Sequence, residues 1–512
     1  MRQGLKVSVI DIGFNSLKMV NSQVGRNNSV RICSEFGVKA RLGEGLVRRK
    51  TLAPGAVRRA IEGLGVCSDI IRVESIKHVI AVGTSPLREA TDGDEFCRRV
   101  FSETGFRIRV LSSREEALYS FLGAATSTSG KNSLFFDLGG GSLEIVHMKN
   151  YRIAKVISLP LGSLRLTQLY AGHDGNFSAR NYGRMKKHIY RLLPDRSEIG
   201  LSENSALVGV GGTVRALARY EQENTDYPFV KIHNYVVGFA PLKRMARRFS
   251  EMPLKKLQGI RSFGNDRAAT VTAGSAVVSL LMEKLRFKEL VASTHGLRDG
   301  LLISFMNNNL SLRKNGNFAA AIEKSLPPAR AIPGPRKAAG IIKALVDSAM
   351  LDPSESLILT ELAGNVPGER AASSPEALFY TLFCEDSILS HRQQMVLALS
   401  ATGVRNSRVS NRLLLKYGDI VMPGDRRSVE KVIACLKLLE LLEKGSSAVR
   451  IATGRHKINI SVRPGAAFPG KLLERTIRDI RISFGFPLAF GISVSKTDQP
   501  GAAGNGARKA RG

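Results

Sequence analysis

The chain has 512 residues, too many for one core, and its 43% hydrophobic content is ordinary for a globular protein. Its 76 Lys and Arg against 44 Asp and Glu give +32, which points to polyanionic partners; only 6% aromatics, no Trp and no nucleic-acid motif argue against sequence-specific binding to DNA or RNA. No run of roughly 18 apolar residues is present to cross a bilayer, no cleavable leader pattern opens the chain, and the five scattered cysteines have no metal-ligand spacing; a reduced, cytoplasmic protein with no membrane partner is expected.

Apolar strands and amphipathic helices alternate from the start. VSVIDIG reads as a strand followed by a hairpin partner, LKMVNSQV. The segment from Thr51 to Val73 reads as a helix opened by Pro54. HVIAVGTSPLREA and FRIRVLSSREEALYSFLGAAT each read as a strand leading to a helix, which is an α/β plan. At residue 134 the plan restarts with LFFDLGGG, a hairpin partner, a basic helix over 178–194, the strand and loop ALVGVGGTVRALA, and a long buried helix over 267–285. Residues 307–337 hold four prolines and no clean period, so they read as a linker. Helical periodicity follows over 338–445, then a small α+β unit over 446–495 and a Gly/Ala-rich basic tail over 496–512, which reads as disordered.

Two segments of this pattern are near copies. In VSVIDIGFNSLKMV and LFFDLGGGSLEIV, a buried strand carries Asp11 or Asp137 to the lip of a sheet, and glycines then turn the chain so that amide N–H groups face outward. Amide donors beside a carboxylate make a cradle for phosphate and a hard metal. One such loop is commonly only a turn; two of them suggest two similar domains facing across a cleft. Glu115 and Glu116 open the helix after FRIRVLS, where Ser112 or Ser113 would cap it. They are either first-turn acids or the base of a hydrolytic site.

In chain order, VIDIGFNS (9–16), RLGEGL (41–46), AVGTSPLREA (81–90), SSREEA (112–117), FDLGGGSLEIV (136–146), LPLGSLRL (159–166), VGVGGTVRALA (208–218) and HGLRDGLL (295–302) resemble the exopolyphosphatase / guanosine pentaphosphate phosphohydrolase (Ppx/GppA) family of the acetate kinase–sugar kinase–Hsp70–actin superfamily. The resemblance covers about the first 305 residues closely. It implies two ribonuclease-H-like domains, 1–125 and 126–306, around a cleft, followed by a helical domain related to HD phosphohydrolases and the small α+β domain.

The resemblance also implies the site. Glu116 takes the place of the general base that deprotonates water for phosphoanhydride hydrolysis. Asp137 and Glu144 would hold Mg²⁺ or another divalent cation. Asp11, Gly13, Asn15 and Ser16 on one side, and Gly139, Gly140, Gly141 and Ser142 on the other, would contact phosphate. Thr84, Ser85 and Arg88 would add hydroxyl and guanidinium donors, Arg88 as a bidentate fork. Gly211, Gly212 and Thr213 form a third glycine loop where kinases of the superfamily hold adenosine, and here it either lines the cleft or only packs; Arg298 either contacts substrate or pins the domain interface.

The chain departs from the family pattern at three places. Phe14 stands where a small Ser or Thr is usual, Leu143 where Thr is usual, and Pro86 where Ala is usual. Between 338 and 445 no His–Asp pair occurs and His391 stands nearly alone, so no metal site is expected there; Arg392, Arg405, Arg408, Arg412 and Lys416 would form either a polyphosphate-guiding surface or a solvated basic face. The implied activity is exopolyphosphatase, with polyphosphate or guanosine pentaphosphate as substrate and a homodimer as the assembly. The alternatives are a guanosine pentaphosphate phosphohydrolase and a non-catalytic polyphosphate- or nucleotide-binding regulator.

Overall fold

The computed structural model describes residues 5–25, 30–126, 132–203, 205–306, 340–343, 345, 351–365, 373–385, 387–418, 420–454, 457–464, 470–484 and 489–494. The expected linker at 307–337 and tail at 496–512 lie outside the described residues. The described residues fall into two compact units, one of residues up to 306 with the segment 387–390, the other of the later residues.

The first unit holds two sheets. In the first, β1 (Leu5–Ile12), β2 (Leu17–Val24), β3 (Val30–Val38), β4 (His78–Gly83) and β5 (Arg109–Val110) lie in the order β3-β2-β1-β4-β5, with β1 antiparallel to β2 and parallel to β4. Helices α1 (Leu46–Arg49), α2 (Pro54–Val73), α3 (Ser85–Glu89), α4 (Gly93–Thr104) and α5 (Ser113–Ala125) connect and follow these strands. The expected Pro54 does open α2, where its missing N–H costs nothing, and Ala56, Ala60, Leu64, Cys67 and Ile71 form its buried stripe.

The second sheet comprises β6 (Asn132–Leu138), β7 (Leu143–Lys149), β8 (Arg152–Leu159), β9 (Ala206–Val210), β10 (Tyr235–Gly238) and β11 (Glu289–Ala292), in the order β10-β11-β9-β6-β7-β8. Counted from its own first strand, it repeats the third–second–first–fourth–fifth order of the first sheet, with β10 added antiparallel at the edge. The duplication read from the two loops is therefore a duplication of whole sheets, the plan expected of ribonuclease-H-like domains. Around this sheet lie α6 (Ser163–Tyr170), α7 (Ala179–Leu192), α8 (Arg196–Ile199), α9 (Gly212–Asn224), α10 (Phe239–Glu251), α11 (Leu254–Gln258), α12 (Gly264–Leu285) and α13 (Leu297–Met306). Among the described residues only the stretch 267–285 of α12 is long and apolar enough to cross a membrane, and it is 83% buried in the protein.

Two helices trade sides. α5 follows the first sheet in sequence, yet Ala117, Leu118, Phe121 and Leu122 pack with Phe135, Val146 and Val208 of the second. α13 ends the second domain, yet Leu301 and Leu302 pack with Val7, Val9 and Val82 of the first. The two helices cross backbone to backbone: a Cβ on Gly300 would lie 1.8 Å from the carbonyl oxygen of Tyr119, and one on Gly123 2.1 Å from that of Gly296. A boundary drawn at residue 125 therefore cuts the sequence but not the packing.

The described residues of the second unit include the helices α14 (Pro353–Asn365), α15 (Pro375–Cys384), α16 (His391–Arg405), α17 (Ser407–Lys416) and α18 (Pro423–Gly445). After them comes a three-stranded sheet of β12 (Ser446–Gly454), β13 (Lys457–Pro464) and β14 (Ala489–Val494), with α19 (Gly470–Phe484) joining the parallel pair β13 and β14. His391 is buried against Phe383. Of the five cations considered as a guiding surface, Arg392 is taken by Asp425 through two bonds of 2.7 and 2.8 Å and Arg412 by Glu376, so the surface is smaller than the sequence suggests.

Candidate active site

The two duplicated loops have the same turn. Four residues join Ile12 to Leu17 and Leu138 to Leu143, and in each the first glycine donates back to the fourth residue, Gly13 N–H to Ser16 O at 3.1 Å and Gly139 N–H to Ser142 O at 3.0 Å. Neither loop needs a left-handed glycine, contrary to the expectation that glycine was there to turn the chain. The requirement is space: a Cβ on Gly141 would meet Ser85 Oγ at 2.4 Å and the Phe14 ring at 2.5 Å.

The second loop is pinned from behind. Its carbonyls accept from the start of α6: Gly139 O from Ser163 N–H at 3.0 Å, Gly140 O from Leu164 and Arg165 N–H at 3.0 and 2.9 Å, and Gly141 O from Gly162 N–H at 3.3 Å. A trans peptide points its C=O and the following N–H in opposite directions. The amides of Gly140, Gly141 and Ser142 therefore face away from α6, on the side where these residues line a pocket of about 180 Å³.

That pocket collects most of the predicted residues. From the first domain come Asp11, Gly13, Asn15, Ser16, Thr84, Ser85 and Glu116; from the second come Asp137, Gly139, Gly140, Gly141, Ser142, Glu144, Gly211, Gly212 and Arg298. Arg88 and Thr213 do not line it. Thr213 is fully buried and accepts from Arg267 at 3.2 Å. Arg88 is occupied by Glu116: both terminal nitrogens donate to its Oε2 at 3.1 Å, and one also donates to Leu111 O at 2.7 Å. A carboxylate this buried needs a cation close by, which is the physical reason Arg88 turns from the pocket to Glu116.

The two adjacent glutamates divide as cap and site. Glu115 closes a capping box with Ser112, accepting its N–H at 2.9 Å while its own N–H donates to Ser112 Oγ at 3.3 Å. Glu116 is left for the pocket. Burial pushes its carboxyl up to about 7; Arg88 opposes that rise, and Asp137 and Asp11 add to it. Burial also raises Asp11, Asp137 and Glu144, the last of these further by the negative charge of Glu116.

The copies differ where it matters. Opposite Asp11 in register stands Lys18, and opposite Asp137 stands Glu144. The first Asp is thus balanced by an amine, while the second faces another buried carboxylate whose partners are the hydroxyls of Ser158 and Ser142. A hard cation relieves that repulsion, and the all-oxygen donor set suits Mg²⁺. Among the described residues no three His, Cys, Asp or Glu are placed to grip one ion, so Mg²⁺ would take one or two carboxylates and keep waters, as it commonly does.

Sequence reasoning missed the cationic wall. Lys18, Lys39, Arg215 and Arg267 line the pocket with Arg298. Burial and then Arg215 push the Lys18 amine down to about 8, and Arg215 is itself lowered by burial and by Arg298. Crowded cations of this kind are relieved by a bound polyanion. The one available signal was Arg215, two residues past the third glycine loop; the others come together only in the fold.

Phe14, the residue out of pattern, is 3% exposed. Its ring lies against Gly140 and Gly141 of the other domain, with the Arg165 guanidinium 5.7 Å from its centroid. Phe14→Ser would restore a hydroxyl but leave a void between the loops. We expect it to lower unfolding free energy by about 3 kcal/mol in a denaturant titration.

The Ppx/GppA phosphatase family profile matches residues 20–309. A Haemophilus influenzae protein provisionally named an exopolyphosphatase is 24% identical over 309 residues, 59% of this chain and 92% of its own. A Vibrio vulnificus guanosine-5'-triphosphate,3'-diphosphate pyrophosphatase is 26% identical over 59% of this chain and 59% of its own length. Among solved structures, the Aquifex aeolicus Ppx/GppA family member superposes with a TM-score of 0.50 at 27% identity, covering 59% of this chain and 98% of its own. An exopolyphosphatase of Cytophaga hutchinsonii, at 20% identity, shares the fold with a TM-score of 0.55 over 59% of this chain and 98% of its own. The duplicated loops, the Glu116 held by Arg88 in the pocket and the profile match over more than half the chain lead to one conclusion: this chain belongs to the Ppx/GppA phosphatase family.

Proposed function

We infer that the chain is an exopolyphosphatase, hydrolysing the terminal phosphoanhydride bond of inorganic polyphosphate and releasing orthophosphate. The observation that carries this reading is Glu116, a carboxyl held back from ionising until about pH 7, placed in one pocket with two amide-bearing loops. In this reading the terminal phosphate rests on the amides of Gly140–Ser142 and on Asn15 and Ser16. Glu116 accepts a proton from water as the water oxygen bonds to phosphorus and the bridging P–O bond breaks. Lys18, Arg215, Arg267 and Arg298 balance the anion left behind, while Arg88 keeps Glu116 aimed. Mg²⁺ held by Asp137 and Glu144 would neutralise charge on the phosphate being transferred. Gly211 and Gly212 shape the wall without any nucleotide.

The +32 charge favours a long polyanion over a single nucleotide, since capture of the former gains from the whole field. Orthophosphate release from polyphosphate and from guanosine pentaphosphate, each with Mg²⁺, tests the choice. We expect release from polyphosphate, weakening steeply as salt is raised. Release from pentaphosphate alone would reassign the chain to the nucleotide, and release from neither would leave a binding regulator.

A further inference from the structure

α3 is only five residues long, but its last two side chains serve opposite domains. Arg88 holds Glu116. Glu89, the next residue, accepts from Arg165 Nη2 at 2.6 Å through Oε1 and also through Oε2. Arg165 stands in the first turn of α6 in the second domain and is 8% exposed. Its Nε donates to Gly141 O at 2.6 Å, the carbonyl whose peptide carries the Ser142 amide. Two charged hydrogen-bond contacts, Glu116–Arg88 and Glu89–Arg165, are thus joined through the adjacent backbone of α3, and Arg165 carries the link on to the phosphate loop.

We propose that Arg165 is a positioning residue that fixes the Gly141–Ser142 peptide and, through Glu89, its distance from Glu116. This rests on the hydrolase reading above for its catalytic consequence, though not for its structural one. Fixing the carbonyl on one side fixes the N–H on the other. Tying that peptide to the helix that holds the base keeps attacking water and phosphate cradle in register, where an error of an ångström is worth about 10²-fold in rate. Lysine cannot replace the planar fork, since one ammonium does not span both acceptors.

Four variants test the role: Arg165→Met removes both contacts, Glu89→Ala cuts only the tie to α3, the double variant removes the pair, and Arg165→Lys keeps the charge without the fork. We expect kcat on polyphosphate to fall about 10–100-fold in Arg165→Met and about 10-fold in Glu89→Ala, with KM changed only a few-fold. The double variant should be no slower than Arg165→Met, and Arg165→Lys should fall between native and Met. A KM rise with kcat preserved, multiplying effects in the double variant, or losses that track melting temperature would overturn the role. Hydrogen exchange of the Gly162, Ser163 and Leu164 amides, which donate to the carbonyls of the 139–141 loop, needs no turnover. Exchange faster by about tenfold in Arg165→Met, confined to these three amides, supports the positioning role even if the native chain hydrolyses neither substrate. Unchanged exchange refutes it whatever the kinetics show.

Discussion

Glu116→Gln is expected to lower kcat by about 10²–10⁴-fold and, at pH 8, to make the protein more stable. Both effects come from the same burial. Glutamine keeps the shape and can still accept from Arg88, but it cannot take the proton of water. On the stability side, burial raises the Glu116 carboxyl from 4.5 to about 7 in the folded state. A raised group favours folding below its unfolded value and loses that contribution as pH climbs through its folded value. The native protein should therefore lose stability between about pH 4.5 and 7, by up to about 3 kcal/mol on this account, the opposing effect of Arg88 being already contained in the raised value. The Gln variant carries no charge to desolvate and should escape that loss, so the two melting curves diverge as pH rises and converge near pH 4. The native kcat/KM should rise through about pH 7 as the base ionises. Turnover of Glu116→Gln within a few-fold of native would remove Glu116 from its assigned role.

Much of this site was legible because its parts sit at the ends of periodic elements. A strand that ends in Asp and is followed by glycines announces itself, and two of them announce a repeated sheet. The Glu115–Glu116 pair was visible too, and the family resemblance singled out Glu116; the capping box supplies the physical reason Glu115 is the other one, because capping depends on which oxygen reaches which amide. What stayed hidden was convergence. Lys18, Arg215 and Arg267 lie on three different elements, and apart from Arg215, close behind the third glycine loop, nothing local distinguishes them from the many other Lys and Arg residues of the chain. Arg88 was read as a phosphate fork, whereas in the fold it donates to Glu116, a pairing the sequence does not announce because the cost of burying Glu116 is a tertiary quantity. Phe14 looked like damage to a phosphate loop, whereas its ring packs one loop onto the other.

Gly300→Ala is expected to be among the most destabilising single-methyl changes in the first unit. A Cβ at Gly300 falls 1.8 Å from Tyr119 O, 2.7 Å from Tyr119 C and 3.1 Å from Gly123 N, all of them backbone atoms that no rotamer change can move aside. The only relief is to part α13 from α5. Overpacking commonly costs about 1–3 kcal/mol when side chains can adjust; with backbone on both sides the loss should reach about 3–5 kcal/mol, in the range reserved for severe core defects. Gly65→Ala in α2 supplies the control, because nothing lies within 4 Å of its Cβ and helix propensity predicts a gain of up to about 1 kcal/mol. Activity should report the crossing as well. α5 carries Glu116 in its first turn, and Ser120 one turn later donates to Asp137 Oδ2, so any displacement of the helix moves the base and a proposed metal ligand together. We therefore expect Gly300→Ala, assayed at a temperature where it remains folded, to lose at least tenfold in kcat. Native turnover in a folded Gly300→Ala protein would mean that the helix crossing supports the fold without setting the geometry of the site.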